Sequence, residues 1–397
     1  MTRAGFIGLG SMGAPIARRL ARCGFDVVGC DISPQMLEGF DEPGTAREAD
    51  PFETARRSEQ LGICVRTDAQ LEALVDGGRL FAALGAGGVA ILHSTVSPDL
   101  ARRMEKLAAE HGAGFVDVGV SGGGPAAIEG KLSLFVGGTN EAVAKVRPWL
   151  EAIGSTISHL GPVGRGQEAK LLNNLISIAN YGMSAAIVDV AMSMGFDRQQ
   201  FIEALSGGSA ASFALRVGPG FVTPREGRNT PGAFLDLHDL LKKDVGHCGE
   251  LPSSEASARN ALLASCETML ARLRRAAAEA AGKPVADPED TVSRYFEAVR
   301  AKDIEAFMAL FADGAVFTMP NGKRLEGKAA IRESQTMVFA AGSPYPTPLA
   351  RYSGPEGIAV EIEARLPDGS SRHTVNLYRF DDTGLIRSLA VTMRSGG

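Results

Sequence analysis

Closely spaced cysteines and histidines, which would hold disulfides or zinc, are missing from this sequence. The five cysteines are scattered and odd in number, and none belongs to a C-x-x-C pair. The six histidines also lack metal-ligand spacing. His238 and His247, nine residues apart, would face different ways on a helix, so we expect solvated or capping roles for them. The sequence therefore predicts no metal site, no disulfide framework and a reducing cytoplasm as the compartment.

An excess of charge of one sign is also missing. The formal net charge is -5 and the pI is 5.8, without a basic stripe, so no nucleic-acid partner is expected. A long apolar leader is lacking too, because Met1-Thr2-Arg3 leads directly into a short apolar strand and a glycine turn. With 397 residues, the chain is long enough for two or three domains.

Glycine is abundant, and its first cluster follows a short apolar run. Ala4-Gly5-Phe6-Ile7 precedes Gly8-Leu9-Gly10-Ser11-Met12-Gly13, which an amphipathic stretch follows. A G-x-G-x-x-G turn between a strand and a helix is typical of dinucleotide binding. The next strand, 26–30, is followed by Asp31, whose carboxylate can accept hydrogen bonds from ribose hydroxyls and repels a 2′-phosphate. No arginine follows in residues 32–36, so we expect this turn and Asp31 to bind NAD in preference to NADP.

Further alternation of strands and helices follows this turn. Apolar strands are predicted at 61–65 and 88–92 with a helix between them, which favours a parallel, doubly wound sheet. Because such sheets bind ligands beyond the carboxyl ends of their strands, we expect Val65, Arg66 and Thr95 beside the cofactor. Thr95 could hydrogen-bond the nicotinamide side, or it could instead cap the helix that starts near Pro98-Asp99.

A serine and three glycines end the next predicted strand, at Ser121-Gly122-Gly123-Gly124. Their backbone N–H groups and the Ser121 hydroxyl could cradle a carboxylate or phosphate without a basic side chain. A structural glycine loop would look similar. The position of the loop, after the nicotinamide loop and before the next helix, favours the anion cradle.

A long apolar helix is predicted from about Gln167 to Met194. Beyond Lys170 it is apolar on nearly every face, with Asp189 as its only formal charge, which is typical of a helix packed inside protein. A membrane span is the alternative, but frequent polar and glycine interruptions disfavour it. Lys170 and Asn174 share one face, and burial would lower the pKa of the lysine toward neutrality. Lys170 is therefore a candidate proton-transfer group, and a surface lysine at a helix start is the competing interpretation.

Together these motifs resemble the β-hydroxyacid dehydrogenase family, which includes 3-hydroxyisobutyrate, tartronate semialdehyde and 6-phosphogluconate-type dehydrogenases. The resemblance covers roughly residues 1–250. It is carried by residues 5–13, 94–98, 117–123 and 166–174, and by Lys243-Asp244.

This resemblance implies an NAD-dependent oxidoreductase that interconverts a small β-hydroxy acid and its oxo acid or semialdehyde. Ser121, Gly122 and Gly123 would bind the acid group of the substrate. Lys170 would exchange a proton with the reacting oxygen, which Asn174 would help to hold, and Lys243 would close the site over substrate and cofactor. Related imine reductases lack this lysine. We also expect a homodimer or homotetramer.

The chain departs from the family pattern in three places. It has Val118-Gly119 where the family often has Ala-Pro, and Ala126 where the family has glycine. Beyond Asp244 the match fades into a shortened helical tail at 256–281. Substrate closure is therefore expected to differ from that of known members.

Beyond a linker-like run at 282–288, the sequence is no longer dehydrogenase-like. Two predicted helices precede alternating strands, an order that predicts an α+β fold with an antiparallel meander. The segments 295–303, 309–315 and 327–331 resemble the SnoaL-like branch of the NTF2-like family.

Three positions of this region bear on catalysis. Tyr295 matches the oxyanion-hole tyrosine of ketosteroid isomerases, or it is a core tyrosine with a satisfied hydroxyl. The isomerase base falls on Met319 and its second acidic donor on Asn376. The resemblance thus favours a non-catalytic pocket or dimerisation module over an isomerase or lyase.

The sequence predicts an α/β protein in three parts. A doubly wound Rossmann domain spans 1–162, an all-α substrate and dimerisation domain spans 163–282, and an α+β NTF2-like cone spans 287–397. The predicted activity is that of an NAD-dependent 3-hydroxyacid dehydrogenase. The alternatives are a bifunctional protein whose last domain isomerises or binds the product, and an NAD-binding regulatory protein without turnover.

Overall fold

The computed structural model describes residues 1–222, 230–283, 285–354, 357–366 and 368–393. Pro284 of the predicted linker, and residues 355–356, 367 and 394–397 of the predicted last domain, lie outside the described residues. By packing, the chain divides into two units. The first joins Met1–Ser177 to Lys242–Ala256, and the second joins Ile178–Leu241 to Ser257–Gly397. The boundaries of three domains stay a prediction.

The described part of the first unit contains an eight-stranded sheet in the order β3-β2-β1-β4-β5-β6-β7-β8. Its strands are β1 Arg3–Ile7, β2 Asp26–Cys30, β3 Thr45–Glu48, β4 Gln60–Ile63, β5 Val89–Leu92, β6 Gly114–Ser121, β7 Leu132–Gly137 and β8 Gly154–His159. Strands β1 to β6 are parallel, which confirms the doubly wound prediction. Strands β7 and β8 run the opposite way, because β7 pairs antiparallel with β6 and β8 pairs parallel with β7.

Helices alternate with these strands and cover two buried apolar clusters of the sheet. They are α1 Gly13–Arg22, α2 Pro34–Glu38, α3 Pro51–Arg56, α4 Asp68–Val75, α5 Arg79–Leu84, α6 Pro98–Glu110, α7 Gly123–Glu129, α8 Asn140–Lys145 and α9 Arg147–Ile153, with a 3-10 turn at Asp76–Gly78. The only tryptophan of the sequence, Trp149 in α9, is fully buried. Its ring is stacked on Phe6 and on His93, and its Nε1 donates to Nε2 of His93 at 3.2 Å.

The long apolar helix is α10, Arg165–Ser193, which begins two residues before the predicted start. One apolar stripe is buried, at Leu171, Leu175, Ile178, Ala185 and Val188. A second stripe is 44–57% exposed, at Leu172, Ile176, Met183, Ile187 and Val190. The prediction of a helix enclosed on every face is therefore wrong for a single copy of the chain, which covers only one stripe. Among the described residues, α10 is also the one helix long and apolar enough to cross a membrane.

Between α10 and residue 281, the described residues form four more helices, and the last of them matches the predicted helical tail. They are α11 Arg198–Ser206, α12 Phe213–Phe221, α13 Pro231–Glu250 and α14 Ala256–Ala280. Helix α14 packs closely on α10, because a Cβ at Gly182 would lie 2.9 Å from the backbone nitrogen of Met269.

The carboxyl-terminal region is α+β, as predicted. Its elements are α15 Pro288–Ala301, α16 Ile304–Met308, β9 Phe311–Thr318, β10 Arg324–Glu326, α17 Gly327–Ala340, β11 Tyr345–Gly354, β12 Gly357–Arg365, β13 Ser371–Phe380 and β14 Ile386–Met393. The described strands form a six-stranded sheet in the order β10-β9-β14-β13-β12-β11. The sheet is antiparallel except that β14 pairs parallel with β9.

Candidate active site

The glycine turn after β1 has the three features that a dinucleotide-binding turn needs. Gly8 has a φ of 94°, and a Cβ there would lie 2.2 Å from the carbonyl oxygen of Cys64. A Cβ at Gly10 would meet nothing within 4 Å, which leaves open space for a pyrophosphate. A Cβ at Gly13 would lie 1.8 Å from the carbonyl oxygen of Gly8, so α1 can pack this closely on the turn only with glycine.

Asp31 stands directly after β2, beside this turn. Its Oδ2 accepts the backbone N–H of Leu9 at 2.6 Å, and its Oδ1 accepts the N–H of Ser33 at 2.8 Å. The carboxylate therefore has a fixed orientation, and each oxygen retains a lone pair for a ribose hydroxyl. Ile32, the next residue, is almost fully exposed and carries no charge that would attract a 2′-phosphate.

The loop after β5 carries the residues predicted for the nicotinamide side. Ser94 is buried, and its Oγ accepts the N–H of Val65 at 2.8 Å, which ties the ends of β4 and β5 together. Ser97 caps α6 by accepting the N–H of Leu100, so the alternative role of Thr95 as a helix cap is wrong. Thr95 is partly exposed at the carboxyl edge of the sheet, and Arg66 lies exposed beyond β4.

Lys170 lies in the second turn of α10, against strand β6. A Cβ at Gly119 would be 2.5 Å from Cβ of Lys170, so α10 can pack this closely on β6 only with glycine at this position. Burial lowers the pKa of Lys170 to about 8; the Asp244 carboxylate opposes this shift and the Lys243 ammonium adds to it. Lys170 is thus able to gain and lose a proton near neutral pH, as the desolvation argument predicts.

Asn174 and Lys243 are joined through Asp244, to which the sequence analysis assigned no role. The buried Asp244 accepts Nδ2 of Asn174 at 2.7 Å, and its Oδ1 lies 3.1 Å from Nζ of Lys243. The same Nζ donates to the carbonyl oxygen of Thr95. The structure therefore brings Thr95, Asn174 and Lys243 together at one edge of the sheet.

Ser121 ends β6, but the glycines after it do not form an open loop. Gly122 has a φ of 130°, and α7 already begins at Gly123. The prediction of a three-glycine loop is therefore wrong, because Gly122 alone separates β6 from α7, although Gly123 still has a positive φ of 74°. The first N–H groups of α7 are still without helical partners, as at any helix start. Ser121 lies on the same face of β6 as Gly119, which touches Lys170, because strand residues two apart share a face.

Two residues that hold this site together were not predicted as functional. Asp117 is fully buried, and its carboxylate accepts the N–H groups of Gly164 at 2.9 Å and Gln167 at 2.7 Å at the start of α10. Burial raises the pKa of Asp117 to about 6, although these two N–H groups act in the opposite direction. The side chain of Gln167, also fully buried, accepts the N–H of Val96 at 3.1 Å and donates to the carbonyl oxygen of Ser94 at 2.9 Å. A polar residue inside an apolar strand, as at Asp117, is the signal that could have revealed this link.

The histidines have other roles than those expected. Nδ1 of the buried His238 lies 2.9 Å from Oδ1 of Asp239, and its Nε2 lies 3.2 Å from Nη1 of Arg274. His247 is only 15% exposed and lies beside Asp68. The expectation of solvated or capping histidines is therefore wrong. Within the described ranges, no group of three or more His, Cys, Asp or Glu side chains is placed to bind a metal.

In the carboxyl-terminal region, the three positions that were compared with ketosteroid isomerases lie in or against an aromatic core. Tyr295 is buried, with its ring 5.2 Å from that of Tyr378 and 5.3 Å from that of Phe307. Asn376 is buried and donates to the hydroxyl oxygen of Tyr378 at 2.9 Å. Met319, at the position of the isomerase base, has only a thioether sulfur, which lies 3.8 Å from Oγ of Ser334.

Comparisons with family models agree with this geometry. Residues 3–161 match the NAD binding domain of 6-phosphogluconate dehydrogenase. Residues 164–286 match the NAD-binding domain of NADP-dependent 3-hydroxyisobutyrate dehydrogenase. Residues 292–389 match a SnoaL-like domain.

Individual relatives agree as well. An NAD-dependent L-serine dehydrogenase of Pseudomonas aeruginosa is 31% identical over 69% of this chain and 92% of its own length. The mitochondrial 3-hydroxyisobutyrate dehydrogenase of Drosophila melanogaster is 34% identical over 64% of this chain and 78% of its own. Among solved structures, a Mycobacterium tuberculosis 3-hydroxyisobutyrate dehydrogenase with L-serine has a TM-score of 0.56 and 26% identity. This match covers 69% of this chain and 98% of that one.

Proposed function

The chain belongs to the 3-hydroxyisobutyrate dehydrogenase family, with a SnoaL-like domain at its carboxyl end, and on this basis we propose that Lys170 is its proton-transfer group. Membership makes the protein an NAD-dependent oxidoreductase of small hydroxy acids. The observation that carries the proposal is the position of Lys170, which is packed against Gly119 and has its pKa lowered to about 8. A neutral amine at this position is a suitable base for an alcohol.

The residues around Lys170 have complementary tasks in this proposal. NAD supplies the acceptor for the hydride that leaves the carbinol carbon. Lys170 accepts the hydroxyl proton during oxidation and returns it during reduction. Asn174, held by Asp244, has a second amide N–H with which to hold the reacting oxygen. The Ser121 hydroxyl, the N–H groups of Gly122 and Gly123, and the Lys243 ammonium would bind the carboxylate of the substrate.

The nucleotide would lie along the carboxyl edge of the sheet. The glycine turn from Gly8 to Gly13 would hold the pyrophosphate, and Asp31 would accept hydrogen bonds from the adenosine ribose. Thr95, Val65, Arg66 and Lys243 would line the nicotinamide side. NADP should be the poorer substrate, because a 2′-phosphate would face the Asp31 carboxylate.

The test is an assay of NAD and NADP reduction with short β-hydroxy acids, including 3-hydroxyisobutyrate and L-serine. The relatives named for these two compounds are the reason for choosing them. Wild type should prefer NAD, and its kcat should rise as the pH increases through about 8, where the Lys170 amine becomes neutral. Lys170→Met should lose about a hundredfold or more in kcat. The exposed Lys242→Met is the control, and an active Lys170→Met would disprove the mechanism.

For the SnoaL-like domain we propose a non-catalytic role. The support is chemical, because Met319 offers no carboxylate to move a proton at carbon, and Tyr295 is packed among aromatic rings. The full chain should therefore release the oxo acid or semialdehyde as its final product. A further product that Tyr295→Phe no longer forms would instead support the bifunctional alternative.

We further propose that a second copy of the chain covers the exposed stripe of α10. The argument is the five apolar side chains on one face, which are too many for a helix surface that faces water. A homodimer or homotetramer would bury them.

A further inference from the structure

His247 and Asp68 form a contact that the proposed reaction does not use. His247 lies on α13, one helical turn after Lys243, so both side chains share one face of the helix. Nε2 of His247 lies 3.3 Å from Oδ1 of Asp68, and the two side chains are only 15% and 28% exposed. This histidine is part of the segment in which the chain departs from the family pattern.

Asp68 is also bound to the nicotinamide loop. It is the first residue of α4, and its Oδ2 accepts the N–H of Ser97 at 3.2 Å. Two residues earlier in the same loop, the carbonyl oxygen of Thr95 accepts Nζ of Lys243. Helix α13 is therefore attached to one short loop at two points. Lys243 binds the loop directly at Thr95, and His247, one turn later, is linked to Ser97 of the loop through Asp68.

We propose that the His247–Asp68 pair is a positioning pair that holds α13 in the register at which Lys243 reaches the substrate site. The inference rests on the role proposed above for Lys243. Neither His247 nor Asp68 is assigned a contact with substrate or nucleotide. Loss of the pair would allow α13 to shift, so Lys243 would bind the substrate carboxylate less tightly while Lys170 keeps its position on α10.

The charges around His247 make this positioning pH-dependent. The contact with Asp68 raises the pKa of His247, and burial opposes this shift. Of the other nearby charges, the Asp244 carboxylate also raises the pKa of His247, whereas the Lys243 ammonium lowers it. The exposed Glu250 lies 3.9 Å from Nδ1 on the other side of the ring. Because the pKa of His247 is raised, the ion pair is complete below its ordinary value and is lost as the pH rises through the raised value. The KM for the hydroxy acid should therefore increase over that interval.

The experiment is a double-mutant cycle in the full-length protein. His247→Gln and Asp68→Asn should each raise the KM for the hydroxy acid about tenfold and leave kcat within about twofold. His247→Gln should also remove the increase of KM with pH. In a Lys243→Met background, His247→Gln should have no further effect, because the contact acts through Lys243.

Two controls and two contrary results complete the design. Glu250→Gln removes the exposed carboxylate near His247, and Lys242→Met removes the lysine next to Lys243; both should behave as wild type. An unchanged KM in His247→Gln and Asp68→Asn, or an equal increase in the Lys243→Met background, would overturn the inference alone. A wild-type KM in Lys243→Met would instead overturn the proposed role of Lys243 and the inference with it. Asp68→Asn tests the pair from its other side if His247→Gln does not fold.

Discussion

Lys170 shows how a single residue can serve chemistry at the expense of stability. Its pKa is lowered from 10.5 to about 8, chiefly by burial. A lysine whose pKa falls on folding weakens the fold at every pH below the folded value, and this cost disappears as the pH rises from about 8 to above 10.5. The shift corresponds to at most about 3 kcal/mol, reduced by solvent screening because the side chain is not fully enclosed.

Lys170→Met should therefore be more stable than wild type while it is inactive. We expect its free energy of unfolding in urea to be up to about 3 kcal/mol higher at pH 7. The difference should vanish above pH 10.5, where the wild-type lysine is neutral in both states. Lys242→Met, at an exposed neighbour of Lys243, should show neither effect. Equal stability of Lys170→Met and wild type at pH 7 would mean that the lysine is well solvated.

At the scale of elements, the side-chain amide of Gln167 links the start of α10 to the loop after β5. The buried side chain of Gln167 satisfies both the Val96 N–H and the Ser94 carbonyl oxygen. Gln167→Leu keeps the approximate volume but leaves two buried backbone groups without partners, at about 1–3 kcal/mol each.

Gln167→Leu should lower the free energy of unfolding by about 2–6 kcal/mol. It should also raise the KM for NAD, because the loop that carries Thr95 loses its attachment to α10. Urea unfolding and initial rates measure the two effects. Gln199→Leu, which removes an exposed hydrogen bond from Nε2 of Gln199 to Oε1 of Glu203 on α11, should cost less than about 0.5 kcal/mol and leave the KM unchanged. A wild-type KM in Gln167→Leu would show that the loop is positioned by other contacts.

The elements around the site were largely predictable from local patterns. Short-range periodicity and turn residues were enough to predict the glycine turn, β2 with Asp31, and the two apolar strands β4 and β5. The links across the site were not predictable, because Asp117, Gln167 and Asp244 act through contacts between distant segments. The reversed strands β7 and β8 and the helix α17 were missed for a similar reason, since tertiary pairing rather than local sequence determines them.

At the scale of the whole molecule, α10 presents the largest difference between sequence and structure. Its composition predicts an enclosed helix, but the chain itself covers only one of the two apolar stripes. In the oligomer proposed above, a second copy of the chain would bury the other stripe.

Ile187→Glu should prevent assembly of the chain. A charge in the middle of the exposed stripe would have to be buried without a partner, which costs several kcal/mol. Sedimentation velocity should then show a monomer where wild type shows a dimer or tetramer. Leu349→Glu, at a similarly exposed position on β11, is the matched control. Dissociation by Leu349→Glu and not by Ile187→Glu would move the interface to the SnoaL-like domain.

The lone tryptophan gives this chain a built-in optical reporter. Trp149 on α9 is stacked on Phe6 and His93 of the first unit, and the second unit contains no tryptophan. Indole emission therefore follows the melting of the first unit alone, whereas far-ultraviolet circular dichroism follows both. Superimposable curves from the two signals would mean that the fused parts melt as one cooperative body, and separate curves would resolve their individual stabilities without cutting the chain.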